Sequence, residues 1–277
     1  AASSSASSSS ASSSSAATTS SDAASAASSL PALRHIDQSK PVRLALIGAT
    51  GLVGRACAQH IAQNPDMGYT IAFFVGSALS VDKPMAEVAA EKEGKLKAHY
   101  GDDFWHADEP DASLKDALVC DVDALLAAGP EQCDVVLSFL APRFGHLEDT
   151  MVSAGFRVVS ISPHRRMDHP LVVPAVNGTG VDWAQLRCIK SPNCCSVGST
   201  TALLPLVDMF TVKEISITTF QTLSGRGDAL YPAEKVVGNV YPIGATEEKT
   251  EVYIANEVAR IYSTHPKGAQ ITPEVSH

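Results

Sequence analysis

The segment that most constrains this chain is a short apolar run joined by a glycine turn to an amphipathic stretch. Val42-Arg43-Leu44-Ala45-Leu46-Ile47 has strand length and leads directly into Gly48-Ala49-Thr50-Gly51-Leu52-Val53-Gly54. Beyond it, Leu52, Val53, Ala56, Cys57, His60 and Ile61 recur at helical spacing. Strand, glycine turn and helix in succession give the glycine pattern its meaning. The glycines let backbone approach a pyrophosphate, and the helix amino terminus offers amide donors and a positive dipole end. A tight turn with no ligand is the bland alternative; the flanking strand and helix favour a dinucleotide site at Gly48, Thr50, Gly51, Leu52, Val53 and Gly54.

The alternation continues downstream. Thr70–Val75 reads as a second strand, Asp134–Leu140 as a buried one, Gly145–Ala154 as a helix, and Phe156–Ser160 and Leu171–Pro174 as further strands. Strands alternating with helices predict an α/β, Rossmann-type, doubly wound parallel sheet with ligand at the strand carboxyl ends. A carboxylate that would accept from the ribose hydroxyls of NAD is missing after the second strand. Ser77, Ser80 and Lys83 stand there instead and suit the 2′-phosphate of NADP, although serine is common in loops anyway.

Composition narrows the function classes. A net charge of -9 argues against general nucleic-acid binding, whose phosphates call for a basic surface, while leaving room for a local basic pocket. No apolar run reaches the roughly 18 residues that span a bilayer. The six cysteines are irregularly spaced and read as neither a disulfide framework nor a zinc site, so no metal is expected and a reducing, cytoplasmic setting is the default. Residues 1–29 are almost entirely Ser, Ala and Thr and cannot bury enough apolar surface to offset their ordering entropy. They read as a disordered tail. A plastid transit peptide is the alternative, weakened because no Lys or Arg precedes Arg34.

Ser191-Pro192-Asn193-Cys194-Cys195-Ser196-Val197-Gly198 precedes a small, apolar helical stretch, Ser199–Met209. A helix amino terminus favours a thiolate, and thiolates both attack and leave carbonyl carbon well. With a dinucleotide domain upstream, this points to acyl reduction on the enzyme. The residues alone do not decide between Cys194 and Cys195, and a buried, inert cysteine is the common case.

The glycine turn followed by Pro192-Asn193-Cys194 resembles the aspartate-semialdehyde dehydrogenase family, particularly its archaeal and fungal branch. The likeness runs from about Val42 to the end of the chain. It includes Arg166-Met167-Asp168, Val173-Pro174 with Asn177, Gln221 within Thr219–Gly225, Asn239-Val240 and Glu247-Glu248-Lys249. That resemblance implies Cys194 as nucleophile toward aspartyl 4-phosphate, with Gln221 orienting the substrate, NADPH reducing the thioester, and aspartate semialdehyde and phosphate as products on the way to lysine, methionine and threonine. It also implies Arg166, Asn193 and Lys249 at the substrate or phosphate, and Asn177, Ser224 and Gly225 near the nicotinamide. A homodimer or homotetramer follows from the same likeness. Composition and the likeness together divide the chain into a disordered tail (1–40), an NADP-binding domain (41–190) and a catalytic and dimerisation α+β domain (191–277).

The chain departs from the family pattern in places. Ser77-Ala78-Leu79-Ser80 lacks the family's arginine, Arg226 enters the Ser224–Gly227 turn, and Thr246 stands where a glutamate is usual. The family continues past a segment like Pro273–His277 to a substrate-binding arginine and a general-base histidine; their absence leads to the expectation that the second domain is incomplete and turnover slight. An acyl-CoA reductase on the same scaffold is the nearest enzymatic rival. A non-catalytic dinucleotide sensor or scaffold is the rival of another class.

Overall fold

The computed structural model describes residues 33, 35–37, 39–101, 111–222, 232–240, 250–265 and 267–276, with backbone alone at positions 180, 233 and 276. The Ser/Ala-rich segment 1–29, Ser224, Gly225, Arg226, Thr246 and Lys249 lie outside the described residues.

The chain order is β1 (Val42–Ile47), α1 (Leu52–Gln63), β2 (Tyr69–Val75), α2 (Met85–Tyr100), β3 (Val119–Cys120), α3 (Val122–Ala128), β4 (Val135–Ser138), α4 (His146–Ser153), β5 (Val158–Ser160), α5 (Pro174–Asn177), β6 (Cys188–Lys190), α6 (Cys194–Met209), β7 (Glu214–Thr218), α7 (Ala233–Val236), α8 (Thr250–Ser263) and β8 (Thr272–Ser276). The first six strands form one sheet in the order β3-β2-β1-β4-β5-β6, all neighbours parallel. The expected doubly wound parallel sheet is therefore present. The order reverses at β1, which lies between β2 and β4, so the crevice at its carboxyl end is the switch point where such sheets hold ligands.

β1 reads as a continuous apolar run because both of its faces are covered. Leu44 and Leu46 enter one core cluster with Ala58, Ile61 and Val88, whereas Ala45 and Ile47 enter another with Leu125, Val136, Met151 and Phe156. A third cluster joins Leu171, Val173 and Val176 to Val207, Ile215, Ile254, Val258 and Ile261, crossing position 190. β7 and β8 form a separate parallel pair beside it. The described residues pack as one compact unit within Ala32–His277. Among them, no helix is long and apolar enough to cross a membrane.

Several local readings need correction. The strand read at Leu171–Pro174 is a single bridge, Leu171 to Lys190, followed by one helical turn. Pro174 has no N–H for a ladder. Asn177 closes the turn, accepting from Val173 N at 2.8 Å and donating to Leu171 O at 2.9 Å. The buried stripe of α1 is Gly54, Ala58 and Ile61, which leaves Val53 on the other side at 47% exposure. α8 turns Ile254, Glu257, Val258, Ile261 and Tyr262 inward, and Val252 outward. Gln221 follows the end of β7 at Thr218.

Candidate active site

At the switch point, Gly48 has φ +79, a left-handed conformation that favours glycine. A Cβ at Gly54 would sit 2.3 Å from the Gly48 carbonyl oxygen, so α1 lies directly on the turn. Gly51 caps α1, its amide bonded to Gly48 O at 3.0 Å, and Thr50 is buried against the end of β2 beside Gly76. In the first helical turn, Leu52 is half-buried against the Leu96 and Tyr100 cluster and Val53 is exposed. A glycine turn too tight for side chains and a helix amino terminus of twelve residues fit a dinucleotide pyrophosphate.

The donors read for a 2′-phosphate are arranged differently from one another. Ser77 is exposed. Ser80 is buried, its amide on Ser77 O at 2.8 Å. Lys83 is held by two acids of α2, Glu91 at 2.5 Å and Glu87 at 3.4 Å. These carboxylates raise the lysine's pKa and keep its charge turned to the helix.

The second feature is the turn after β6. Ser191 N bonds Ser160 O at 2.7 Å, and Asn193 then becomes the N-cap of α6. Its Oδ1 accepts from Cys195 N at 2.9 Å, which stops the strand and starts the helix at Cys194, earlier than the apolar run at Ser199 implied. The two cysteines, inseparable by sequence, now differ. Cys194 is exposed in the first helical position, with its Sγ 3.6 Å from Asn193 Oδ1. Gln221 Nε2 donates toward the same sulfur at 3.9 Å. Cys195 packs against the third core cluster, and burial, together with Cys194 beside it, pushes its thiol up.

Beneath this turn lies a residue that sequence reading missed. Glu257 of α8 is 2% exposed. Its Oε2 accepts from Asn193 N at 2.6 Å and from Ser196 Oγ at 2.7 Å, and its Oε1 from Arg166 Nη1 at 2.7 Å. Arg166 also donates to Ile161 O, so the residue read as gripping phosphate is placed in a buried ion pair under the nucleophile turn. Asn177, read beside the nicotinamide, has its side chain on its own turn, as described above.

A second buried polar group gathers at the carboxyl ends of three strands. Ser138 of β4 and Ser160 of β5 donate to Glu148 Oε1 at 2.5 and 2.6 Å, and Lys190 of β6 pairs with Glu148 Oε2 and reaches Ser160 Oγ at 3.2 Å. All four are no more than 2% exposed. The signal in sequence was three otherwise apolar strands ending in Ser, Ser and Lys. Among the described residues, no group of three or more His, Cys, Asp or Glu side chains is placed to hold a metal ion.

Residues 43–184, just over half of the chain, match the family described as semialdehyde dehydrogenase, NAD binding domain. The chain belongs to the semialdehyde dehydrogenase family. Within this family, one curated relative is the aspartate-semialdehyde dehydrogenase of Methanothermobacter thermautotrophicus, 29% identical over 229 residues, which are 76% of this chain and 59% of that protein. Another is the malonyl CoA reductase (NADP) of Metallosphaera sedula, 27% identical over 244 residues, 83% of this chain and 62% of that one. The chain thus spans about three-fifths of the length of these relatives. Among solved structures, aspartate semialdehyde dehydrogenase with NADP from Candida albicans superposes with a TM-score of 0.63 at 22% identity, covering 84% of this chain and 66% of the other, which establishes the shared fold. The matched family segment ends before Asn193, Cys194 and Gln221, so the geometry of that half stands on its own.

Proposed function

We propose that this chain carries the dinucleotide and nucleophile parts of an NADPH-dependent, phosphorylating aspartate-semialdehyde dehydrogenase of lysine, methionine and threonine biosynthesis. The observation that supports this reading most is Cys194. It is exposed at the first position of α6, with Gln221 Nε2 3.9 Å from its sulfur, on the carboxyl side of a parallel sheet with a glycine turn at its switch point.

In this reading, the Cys194 thiolate adds to the acyl carbon of aspartyl 4-phosphate and expels phosphate, leaving a thioester. Gln221 holds the acyl oxygen through its amide while that carbon becomes tetrahedral. The glycine turn, Gly48 to Gly54, would hold NADPH, which when bound would supply the hydride for reduction of the thioester. Collapse of the resulting thiohemiacetal breaks the carbon–sulfur bond, releases aspartate semialdehyde and returns the thiol. Lys249, Ser224 and Gly225 complete the substrate and cofactor contacts in this proposal. Phosphate recognition by Arg166 requires it to turn from Glu257 or to act through it. The division near position 190, a homodimeric or homotetrameric assembly and a cytoplasmic location belong to the same reading.

The malonyl CoA reductase relative, which matches more of the chain than the aspartate-semialdehyde dehydrogenase does, favours a second reading: an acyl-CoA donor and the same cysteine thioester. The two separate in one assay. Natural full-length protein is given NADP+ with aspartate semialdehyde and phosphate, or with malonate semialdehyde and CoA. Phosphate-dependent NADP+ reduction, lost in Cys194→Ala, is expected. CoA-dependent reduction alone selects the second reading, and activity surviving Cys194→Ala overturns both.

A further inference from the structure

We propose that Glu257 is a positioning residue that completes, from another helix, the amino-terminal cap on which Cys194 sits; this rests on Cys194 being the nucleophile. In an ordinary capping box the N-cap side chain bonds an amide inside the helix, and the third residue's side chain returns to the N-cap amide. Here Asn193 performs the first half on Cys195 N. The third residue is Ser196, whose hydroxyl donates to Glu257 while the Asn193 amide goes to the same carboxylate, so Ser196 leaves the second half undone. Glu257 supplies it. One oxygen receives both the Asn193 amide and the Ser196 hydroxyl, fixing the two ends of the turn that carries Cys194.

A carboxylate buried beneath a nucleophilic sulfur would oppose the thiolate if it stood alone. Arg166 on the other oxygen offsets that charge, with side-chain exposures of 11% for Arg166 and 3% for Glu257. The pair thus offers a strong acceptor with little net field. The distance in sequence is long: 64 residues separate Glu257 from Asn193, and 91 separate it from Arg166. α8 therefore couples the nucleophile turn to the loop after β5.

The test uses iodoacetamide, with the labelling rate of each cysteine read separately by mass spectrometry. Cys133 and Cys188, both buried, report whether the fold has opened. In Glu257→Ala, Cys194 labelling should slow by about fivefold, the factor for losing a cap of about 1 kcal/mol, while Cys133 and Cys188 stay protected. Glu257→Gln retains an oxygen for both cap donors and should recover most of that rate. Faster labelling in Glu257→Ala would show that charge, not the cap, governs the sulfur and would overturn the proposal. Equal slowing in both variants with the buried cysteines protected would do the same.

If both variants open the fold, hydrogen exchange in the unaltered chain decides. The Asn193 amide should be as protected as amides in the middle of α6, and exchange at an open-turn rate refutes the cap. Because iodoacetamide needs no substrate, this proposal can fail while acyl transfer to Cys194 survives, and the reverse.

Discussion

Gly54 and Gly94 are both helical glycines, and replacing each with alanine should move stability in opposite directions. Gly94 lies on an exposed face of α2, where an added Cβ meets nothing within 4 Å. Gly94→Ala should therefore stabilise by about 1 kcal/mol, the usual helix-interior difference between the two residues. Gly54→Ala has the same intrinsic gain. Its Cβ, however, would lie 2.3 Å from Gly48 O and 2.8 Å from Ala49 Cα, where ordinary contact begins near 3.4 Å. The opposing atoms are backbone and cannot rotate aside, so α1 must lift by about 1 Å, at the upper end of the roughly 1–3 kcal/mol that overpacking costs. The net loss is about 2 kcal/mol, and the two variants should differ by about 3 kcal/mol. Urea unfolding followed by circular dichroism measures both. Equal stabilisation by the two substitutions would refute the claim that α1 rests on the glycine turn.

Three further outcomes follow from the buried groups. Lys190→Met leaves the Glu148 carboxylate unpaired and should lower unfolding free energy by about 3–5 kcal/mol. Adding Glu148→Gln, which still accepts from the serines, should recover part of it; an unchanged midpoint in the single variant contradicts the buried pair. Asn193→Ala should cost about 1 kcal/mol and Asn193→Asp far less in the same assay, because only the second keeps the cap acceptor. Burial pushes the Cys188 thiol from 9.0 up to about 11. The native state then holds this proton more tightly, so the contribution is present below pH 9 and is lost as pH rises toward 11, a difference of about 3 kcal/mol. Cys188→Ala should make the stability curve less steep in that window, with losses remaining from Cys57, Cys120 and Cys195, whose thiols burial also pushes up, and later from Tyr262, whose phenol burial pushes up to about 12.

The parallel sheet was legible because its central strands are covered on both faces and read as unbroken apolar runs. β3 escaped because it is two residues long, and α2 because its sequence is mostly charged and small. The Leu171–Pro174 run misled for the opposite reason: it is apolar, but Pro174 and the Asn177 side chain turn it. At the site, Cys194 and Gln221 carried a readable pattern, and the structure brings them together. Glu257 did not, since a lone acid on a helix ordinarily faces water. Its place in the spacing of Ile254, Val258 and Ile261 was the available clue, because an acid in an apolar stripe needs a partner. Arg166 is assigned through the family likeness, and a local motif does not reveal which acid 91 residues away holds it.

The nucleophile is the point on which the functional account stands, and one adduct tests it. The protein is exposed to aspartyl phosphate without NADPH, quenched in acid and cleaved after Lys190 and Lys213, so that Cys194 and Cys195 fall in one peptide. Fragmentation then places the acyl group. The account predicts a thioester on Cys194, absent from Cys194→Ala. An acyl group on Cys195, or acylation that persists without Cys194, would contradict it.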